Sequence, residues 1–512
     1  MPLQGMRGVL SRVVIIGALL VSAAARGESP PLLNSAVIRG SSVYAAPALF
    51  ATYRARLGQP LTAEVATGVA RALGQMYEHD GYSRPEVLVD QRLMANGILR
   101  LEVFEPRFTQ VRFTGSPGPY AQQLARLGAR IQDSNPVRPQ EVRRTLQAMR
   151  ALPGLAIVES VARDAAVRNA FILTLASSYQ PVEGLVRLSN RGSKEIGPWF
   201  VDGQVVANDL LGLQEKLGAL VTATTDYQEY HAGGAFVDLP VSNAGTHLSL
   251  LGLYSYSVPH VSPGDPVDTF RRTLVQLRVL QPLVNTGSAN LVLVGGLDVD
   301  NQITDEDAAL LRDDRLRIVD LGFQAAWAAF QATRYNVVFD LRQGLDALGS
   351  QLYAQDLVPD LRRRDFLLWR GQITQLTQLD ERWTLRLDAL LQHSGYVLPY
   401  SEQLTIGGQV LGRGFEISQV AGDSGGDGRV ELRRLVSRLG GSGELSLYGY
   451  YDYGAVWSQD GSPSQSAAVS GIGVALTRGT LAASVEVAQP LIHPDVDGSR
   501  SPRVLVDITK TF

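Results

Sequence analysis

The 512-residue sequence contains no cysteine, only six histidines and, beyond its N-terminus, no apolar run long enough for a transmembrane helix. Without cysteine the chain has no disulfide bridge, no thiolate zinc site and no cysteine nucleophile. A net charge of −3 argues against nucleic-acid binding by bulk positive charge. The histidines and acidic residues show no spacing typical of metal ligands, so the sequence predicts neither a metal site nor a cofactor.

The N-terminus has the composition of a secretory signal peptide. Arg7 and Arg12 precede an apolar run, residues 13–21, which small residues follow. This order predicts a signal peptide over residues 1–25, cleaved near Ala25. The run is shorter than the roughly 20 apolar residues that a transmembrane helix needs. We therefore expect an exported protein that, if it enters a membrane, crosses it as a β-barrel.

The region after the signal peptide has the pattern of a β-α-α-β-β unit that occurs twice. The two copies occupy residues 33–106 and 107–179. In the first copy, Thr62 precedes apolar residues at helical spacing and so predicts a helix N-cap. The dipeptide Asn96-Gly97 predicts a hairpin turn. A tandem of two small α+β domains is therefore expected.

From Val182 to Phe512 the helical periodicity disappears, and apolar residues alternate with polar ones. The alternation recurs in segments of about ten residues, the length that a strand needs to span a membrane. We count eleven strands before Gly408 and five after it, which predicts a closed barrel of sixteen strands over residues 182–512. The last strand ends on the aromatic Phe512, and we expect the barrel assembly machinery to bind it.

A glycine-rich segment follows the eleventh predicted strand and contains Arg413-Gly414-Phe415. The next two strands carry Glu431 and Asp452. These motifs resemble the inward-folded loop, and the strands that face it, of polypeptide-transporting outer-membrane barrels. The segments Asn190–Ser193 and Val487–Leu491 add to a resemblance to two-partner secretion transporters, the ShlB/FhaC/HecB type. Gly412 departs from the family pattern, which usually has valine there.

The resemblance implies a fold, a location and a function. The fold is an α+β tandem of POTRA domains in the periplasm, followed by an all-β barrel of sixteen strands in the outer-membrane lipid. The function is export of a secreted partner polypeptide. By the same resemblance, the second α+β domain captures that partner by strand addition, along Ala156, Ile157, Val158, Val161 and Arg163. Family members often carry a plugging helix at the N-terminus, for which the few residues after Ala25 leave no room.

The resemblance also implies roles for the loop residues. Arg413, Gly414 and Phe415 would lie in the lumen. A buried arginine needs a carboxylate partner, and Asp452 or Glu431 would supply it, since both lie on the polar side of their strands. The glycines on either side of Arg413 let the backbone turn tightly. The alternative is a solvated loop outside the barrel.

Three other functions compete with export. Gly422-Asp423-Ser424-Gly425-Gly426 matches the nucleophile segment of trypsin-like proteases, but no histidine occurs in the context of a catalytic base, so we expect no enzyme and no catalytic residue. An assembly factor that inserts other barrels belongs to the same superfamily. Such factors generally carry more than two POTRA domains. A diffusion porin would have no use for the α+β tandem.

Overall fold

The computed structural model describes residues 30–90, 96–242, 244–262, 264–330, 332–355, 360–408, 412–440, 442–494 and 500–512. The predicted signal peptide lies outside these residues, as do Gln409, Val410 and Leu411 beside the loop motif. Within the described residues, no helix is long and apolar enough to cross a membrane. The chain divides into two compact units between Gln180 and Pro181.

The N-terminal unit begins with the first β-α-α-β-β copy. Its elements are β1 (Ser35–Arg39), α1 (Ala46–Phe50), a 3-10 turn (Arg54–Arg56), α2 (Ala63–His79), β2 (Glu86–Asp90) and β3 (Ile98–Phe104). The sheet order is β1-β3-β2, with β1 parallel to β3. As predicted, Thr62 caps α2, because its side chain accepts a hydrogen bond of 3.2 Å from the Val65 N–H. Gly97 has a φ of +72°, which suits the predicted turn, although residues 91–95 of that turn lie outside the described residues.

The second copy repeats this order. Its elements are β4 (Arg107–Ser116), α3 (Ala121–Asp133), α4 (Pro139–Arg150), β5 (Leu155–Arg163) and β6 (Ala170–Tyr179). The sheet order is β4-β6-β5, so β5 is an edge strand. Apolar residues of both helices, among them Leu124, Leu146 and Met149, form one buried core with Phe171 and Leu173 of the sheet. The two helices therefore cover one face of the sheet and leave the outer edge of β5 accessible.

The C-terminal unit is a closed antiparallel barrel of sixteen strands, as predicted, with eleven before Gly408 and five after it. The last strand pairs with the first, and Phe512 exchanges two backbone hydrogen bonds with Gly184. The fold class predicted from the sequence, a POTRA-like α+β tandem followed by a sixteen-strand barrel, is confirmed. In chain order the strands are β7 (Val182–Ser189), β8 (Phe200–Asn208), β9 (Lys216–Thr224), β10 (Tyr230–Pro240), β11 (His247–Ser257), β12 (Asp268–Asn285), β13 (Ala289–Glu306), β14 (Ala309–Ala329), β15 (Thr333–Gly344), β16 (Leu367–Gln378), β17 (Trp383–Ser394), the short pair β18 (Leu404–Ile406) and β19 (Val420–Gly422) outside the barrel sheet, β20 (Ser424–Leu439), β21 (Gly443–Trp457), β22 (Gln465–Arg478), β23 (Leu481–Ile492) and β24 (Arg503–Thr511).

Alternation along the barrel strands sorts side chains between the outside and the lumen. On β20, Val430 and Leu432 are 51% and 40% exposed, whereas Glu431 between them is 5% exposed. On β23, Val485 is 50% exposed and Glu486 only 1%. A wall that is apolar outside and charged inside is the pattern of a barrel in a membrane, because lipid replaces water on its outer face.

Candidate functional site

Residues 395–423 connect β17 to β20, and the described ones among them fold back into the barrel; we call this segment the inward loop. Its strands β18 and β19 pair with each other, Leu404 opposite Gly422 and Ile406 opposite Val420. Apolar side chains of the loop are buried in one cluster with side chains of barrel strands β21, β22 and β23, which include Tyr450 and Val469. The loop therefore lies in the lumen, against the wall that these strands form.

Arg413 lies within the inward loop and is only 7% exposed. Its guanidinium group is bound by two carboxylates. Its Nη1 donates to Glu486 Oε2 and its Nη2 to Glu431 Oε2, both at 2.9 Å. The guanidinium carbon lies 3.8 Å from the centre of the Tyr450 ring, which adds a cation–π contact. The sequence predicted a lumenal Arg413 with Glu431 as a possible partner, and the structure places the two together.

The predicted direct pairing of Arg413 with Asp452 is corrected by the structure. Asp452 binds Arg429 of the neighbouring strand instead, accepting hydrogen bonds of 2.7 and 2.9 Å from its Nε and Nη2. The reason is the register: Asp452 lies opposite Arg429, and Tyr450 lies opposite Glu431. Asp452 still contacts the loop, because its Oδ2 accepts a hydrogen bond of 3.1 Å from the Gly412 N–H.

Glu486 is the site residue that sequence reasoning missed. Besides Arg413 it binds Arg191, whose Nη2 lies 3.0 Å from Glu486 Oε1. The Tyr448 hydroxyl donates to it at 2.8 Å and the Tyr450 hydroxyl at 3.3 Å. Glu486 thus joins the inward loop to the connection between β7 and β8. A signal was available, since Arg191 and the residues directly after Glu486 belong to the two outer motifs of the resemblance.

Gly414 and Phe415, next to Arg413 in the inward loop, pack closely against their surroundings in the barrel. A Cβ at Gly414 would collide with the Val469 side chain, so only glycine lets the backbone come this close to β22. Phe415 is 2% exposed and packs edge-to-face against His493, with ring centres 5.6 Å apart. Both predicted residues therefore lie in the lumen beside Arg413.

The protease-like segment ties the two ends of the inward loop together. Asp423 accepts hydrogen bonds from the backbone N–H groups of Leu398 and Gln459, at 2.8 and 2.7 Å. Ser424 is fully buried, and its hydroxyl donates to Ser394 O at 3.1 Å while accepting from Ser394 N. His393 Nδ1 lies 3.4 Å from this hydroxyl, but a fully buried serine cannot reach a substrate. The segment has a structural role.

The predicted docking residues divide between the two faces of β5. Ala156 and Val158 are exposed on the face away from the helices, Val158 at 68%, whereas Arg163 is exposed at the end of the strand on the face that the helices cover. Ile157 is 7% exposed and belongs to the core, and Val161 packs against that core. Successive side chains of a strand point to opposite faces, so the side chains of Ile157 and Val161 cannot be contact residues. Only the backbone at these two positions can take part in strand addition.

Fold and site together define the class of protein: a transmembrane β-barrel with a loop folded into its lumen and an N-terminal α+β tandem. The sequence model of the family "Haemolysin secretion/activation protein ShlB/FhaC/HecB" matches residues 271–477. The outer membrane transporter CdiB of Dickeya dadantii (strain 3937) is 22% identical over 441 residues, which is 82% of this chain and 75% of the relative. The predicted resemblance to two-partner secretion transporters is confirmed by these matches. The relatives are transporters, in agreement with the prediction that the chain is not an enzyme.

Solved structures show the same fold. CdiB from Escherichia coli superposes with a TM-score of 0.74 at 21% identity, covering 99% of this chain and 96% of that one. BamA from Haemophilus ducreyi lacking POTRA domains 1–3 has a TM-score of 0.54 at 12% identity, covering 95% of this chain and 100% of that one. At these identities the likeness concerns the fold alone.

Proposed function

We propose that this protein exports a large partner polypeptide across the bacterial outer membrane, through the lumen that the inward loop occupies. The observation that carries the proposal is the loop itself. It lies in the lumen, where Arg413 forms ion pairs with Glu431 and Glu486 beside the apolar contacts of the loop with the barrel wall. Ion pairs and hydrogen bonds can be exchanged for contacts with an incoming chain, so such a loop can be displaced without unfolding the barrel wall.

In this proposal the two α+β domains lie in the periplasm and act as POTRA domains. The second one captures the unfolded partner by adding it as a strand to the free edge of β5. Backbone hydrogen bonds supply the affinity in this mode and impose little sequence requirement. No nucleotide-binding motif occurs in the sequence, so net movement comes from folding of the partner outside the cell. The barrel itself contacts lipid through its apolar outer wall.

Insertion of other barrels into the outer membrane is the second candidate function, and the fold likeness to BamA favours it. The two functions differ in their product. Export releases a soluble polypeptide into the medium, whereas insertion leaves a folded barrel in the membrane. Two α+β copies, rather than a longer array, favour export.

Deletion of residues 33–179 is expected to abolish export while the barrel remains in the outer membrane. The lumen wall offers no free strand edge to an incoming chain, so capture has to occur in the deleted region. The measurement is the amount of a large secreted partner protein in the medium, from cells that produce it with the full chain or the truncated one. Heat-modifiable migration on gels checks that the barrel has folded. Undiminished export by the truncated chain would refute the capture role.

A further inference from the structure

The second α+β copy carries an unusual charge for this chain. Residues 107–179 contain ten arginines, no lysine and four acidic residues, which gives a net charge of +6. The complete sequence has a net charge of −3. The positive charge is therefore concentrated in one small domain, and it is the domain that bears the predicted docking strand.

Some of these arginines have partners within the N-terminal unit. Arg138 stacks on Tyr82, with its guanidinium carbon 4.3 Å from the ring centre. Arg168 binds Glu86 at 2.8 Å, and Arg150 forms an ion pair with Glu159. Seven others form no ion pair with any described residue: Arg107 and Arg112 on β4, Arg126 and Arg130 on α3, Arg143 and Arg144 on α4, and Arg163 on β5.

Two of the seven, Arg143 and Arg163, border the free edge of β5. The ion pair of Arg150 with Glu159 shows which flank of α4 faces this strand. Arg143 lies seven residues earlier, about two helical turns, and is therefore on the same flank. A short turn joins α4 to β5, so the strand runs back along the helix and brings Arg163 toward Arg143. We call this surface the α4–β5 groove.

The structure assigns to the α4–β5 groove a preference for extended polypeptide segments with acidic side chains. This inference rests on the proposed function and names the chemistry of the docking segment. Among the described strands only β6 pairs with β5, and the backbone groups along its other edge are best matched by another strand. Arg143 and Arg163 then lie beside the added strand, where alternate carboxylates can reach them. Unpaired guanidinium groups attract carboxylates and repel cationic segments. The edge of β5 alone would bind any extended chain through its backbone, whereas the arginines favour chains with acidic side chains.

A polypeptide fits the groove better than an anionic membrane surface does. A lipid headgroup would satisfy the arginines but would leave the strand edge unpaired. Val158, 68% exposed on β5, also offers an apolar contact to a side chain of an added strand. Both features suit an extended chain that carries acidic and apolar residues.

Binding of short fluorescent peptides to the full-length protein in zwitterionic detergent micelles tests the inference. The peptides alternate valine with glutamate, glutamine or lysine. At low salt the glutamate peptide is expected to bind roughly tenfold or more tightly than the lysine peptide. This difference should shrink at about 1 M NaCl, where the screening length is roughly 3 Å. Equal binding of the three peptides at low salt would overturn the inference.

Charge-reversal variants test whether the preference for the glutamate peptide arises at the α4–β5 groove. The double variant Arg143→Glu/Arg163→Glu is expected to lose the preference for glutamate or to favour lysine. Arg126→Glu/Arg130→Glu, the matched control, makes the same charge change on α3 and should keep most of the preference. Equal losses in both double variants would mean a diffuse charge effect and would contradict a groove.

Two further results distinguish peptide binding at the groove from lipid binding, and the charge preference from the proposed function itself. Vesicles containing phosphatidylglycerol, added without peptide, should bind the wild type and the groove variant alike. Vesicle binding that depends on Arg143 and Arg163, with no peptide preference, would assign the surface to lipid and overturn the inference. If deletion of residues 33–179 abolishes export but the peptides show no charge preference, the electrostatic inference fails and the proposed function stands.

Discussion

Replacing Arg413 by alanine is expected to abolish export while leaving the barrel in the membrane. Arg413 is 7% exposed and bonded to two carboxylates. Removing one member of a buried ion pair typically costs about 3–5 kcal/mol, against about 1 kcal/mol or less for a solvated pair. The barrel persists because Glu431 keeps Arg433 at 3.0 Å and Glu486 keeps Arg191 at 3.0 Å. Arg413→Ala therefore removes the contacts that hold the inward loop against the barrel wall, while the wall keeps its own ion pairs.

Two measurements check this expectation: the amount of exported polypeptide in the medium, and single-channel conductance in planar bilayers, which should rise when the loop leaves its seat. Ser424→Ala is a suitable control, since its buried hydroxyl bonds only backbone and an imidazole and should leave export nearly unchanged. Asp427→Asn is a second control, because no hydrogen bond joins this buried carboxylate on β20 to a described residue of the inward loop. Wild-type export from Arg413→Ala would refute the role of Arg413 in holding the loop, and loss of export from Ser424→Ala would show that export also depends on the hydrogen bonds of Ser424 at the base of the loop.

Glu486→Ala is expected to damage the site more than Glu431→Ala does. Glu486 is 1% exposed and is the carboxylate partner of two buried arginines, Arg413 and Arg191. Its removal leaves Arg191 with no carboxylate among the described residues, and an uncompensated buried charge costs several kcal/mol. Glu431→Ala leaves Arg413 bound to Glu486. The first change should therefore loosen both the loop and the connection after β7.

The temperature at which the folded barrel band is lost on gels measures this difference. It should fall further for Glu486→Ala than for Glu431→Ala, and export should fall in the same order. Glu486→Gln, which keeps the shape and loses the charge, should be intermediate. If the folded band of both alanine variants is lost at the same temperature, the ion pair of Glu486 with Arg191 does not add to the stability of the barrel.

The barrel could be predicted from the sequence because alternation along a strand is a local property. Each side of β20, with Val430 outward and Glu431 inward, can be deduced from the order of residues alone. Arg413 could be placed in the lumen for a related reason, through a short glycine-flanked motif. The number of strands could be predicted because turns and loops interrupt the alternation between one strand and the next.

The sequence could not decide which carboxylates bind Arg413, because the choice depends on the register between strands and on contacts across the lumen. Asp452 and Tyr450 are both lumenal and only two residues apart, and the pairing of Asp452 with Arg429 decides which of them meets the loop. Glu486 comes from a strand far along the chain. The net charge of +6 on the second α+β copy, in contrast, can be counted from the sequence. It does not show in the net charge of the complete sequence, which is −3.

Site-specific photocrosslinking during export tests most directly whether the lumen is the conduit. Gln276 and Leu277 on β12 are neighbours that face opposite ways: Gln276 bonds the buried Asp298, and Leu277 is 39% exposed on the outer wall. A photoreactive residue is placed at one position or the other, and a partner polypeptide is arrested in transit by a folded C-terminal domain. If the lumen is the conduit, crosslinks to that polypeptide form from position 276 and none form from 277. Crosslinks from 277, or none from 276 while export proceeds, would contradict a lumenal conduit.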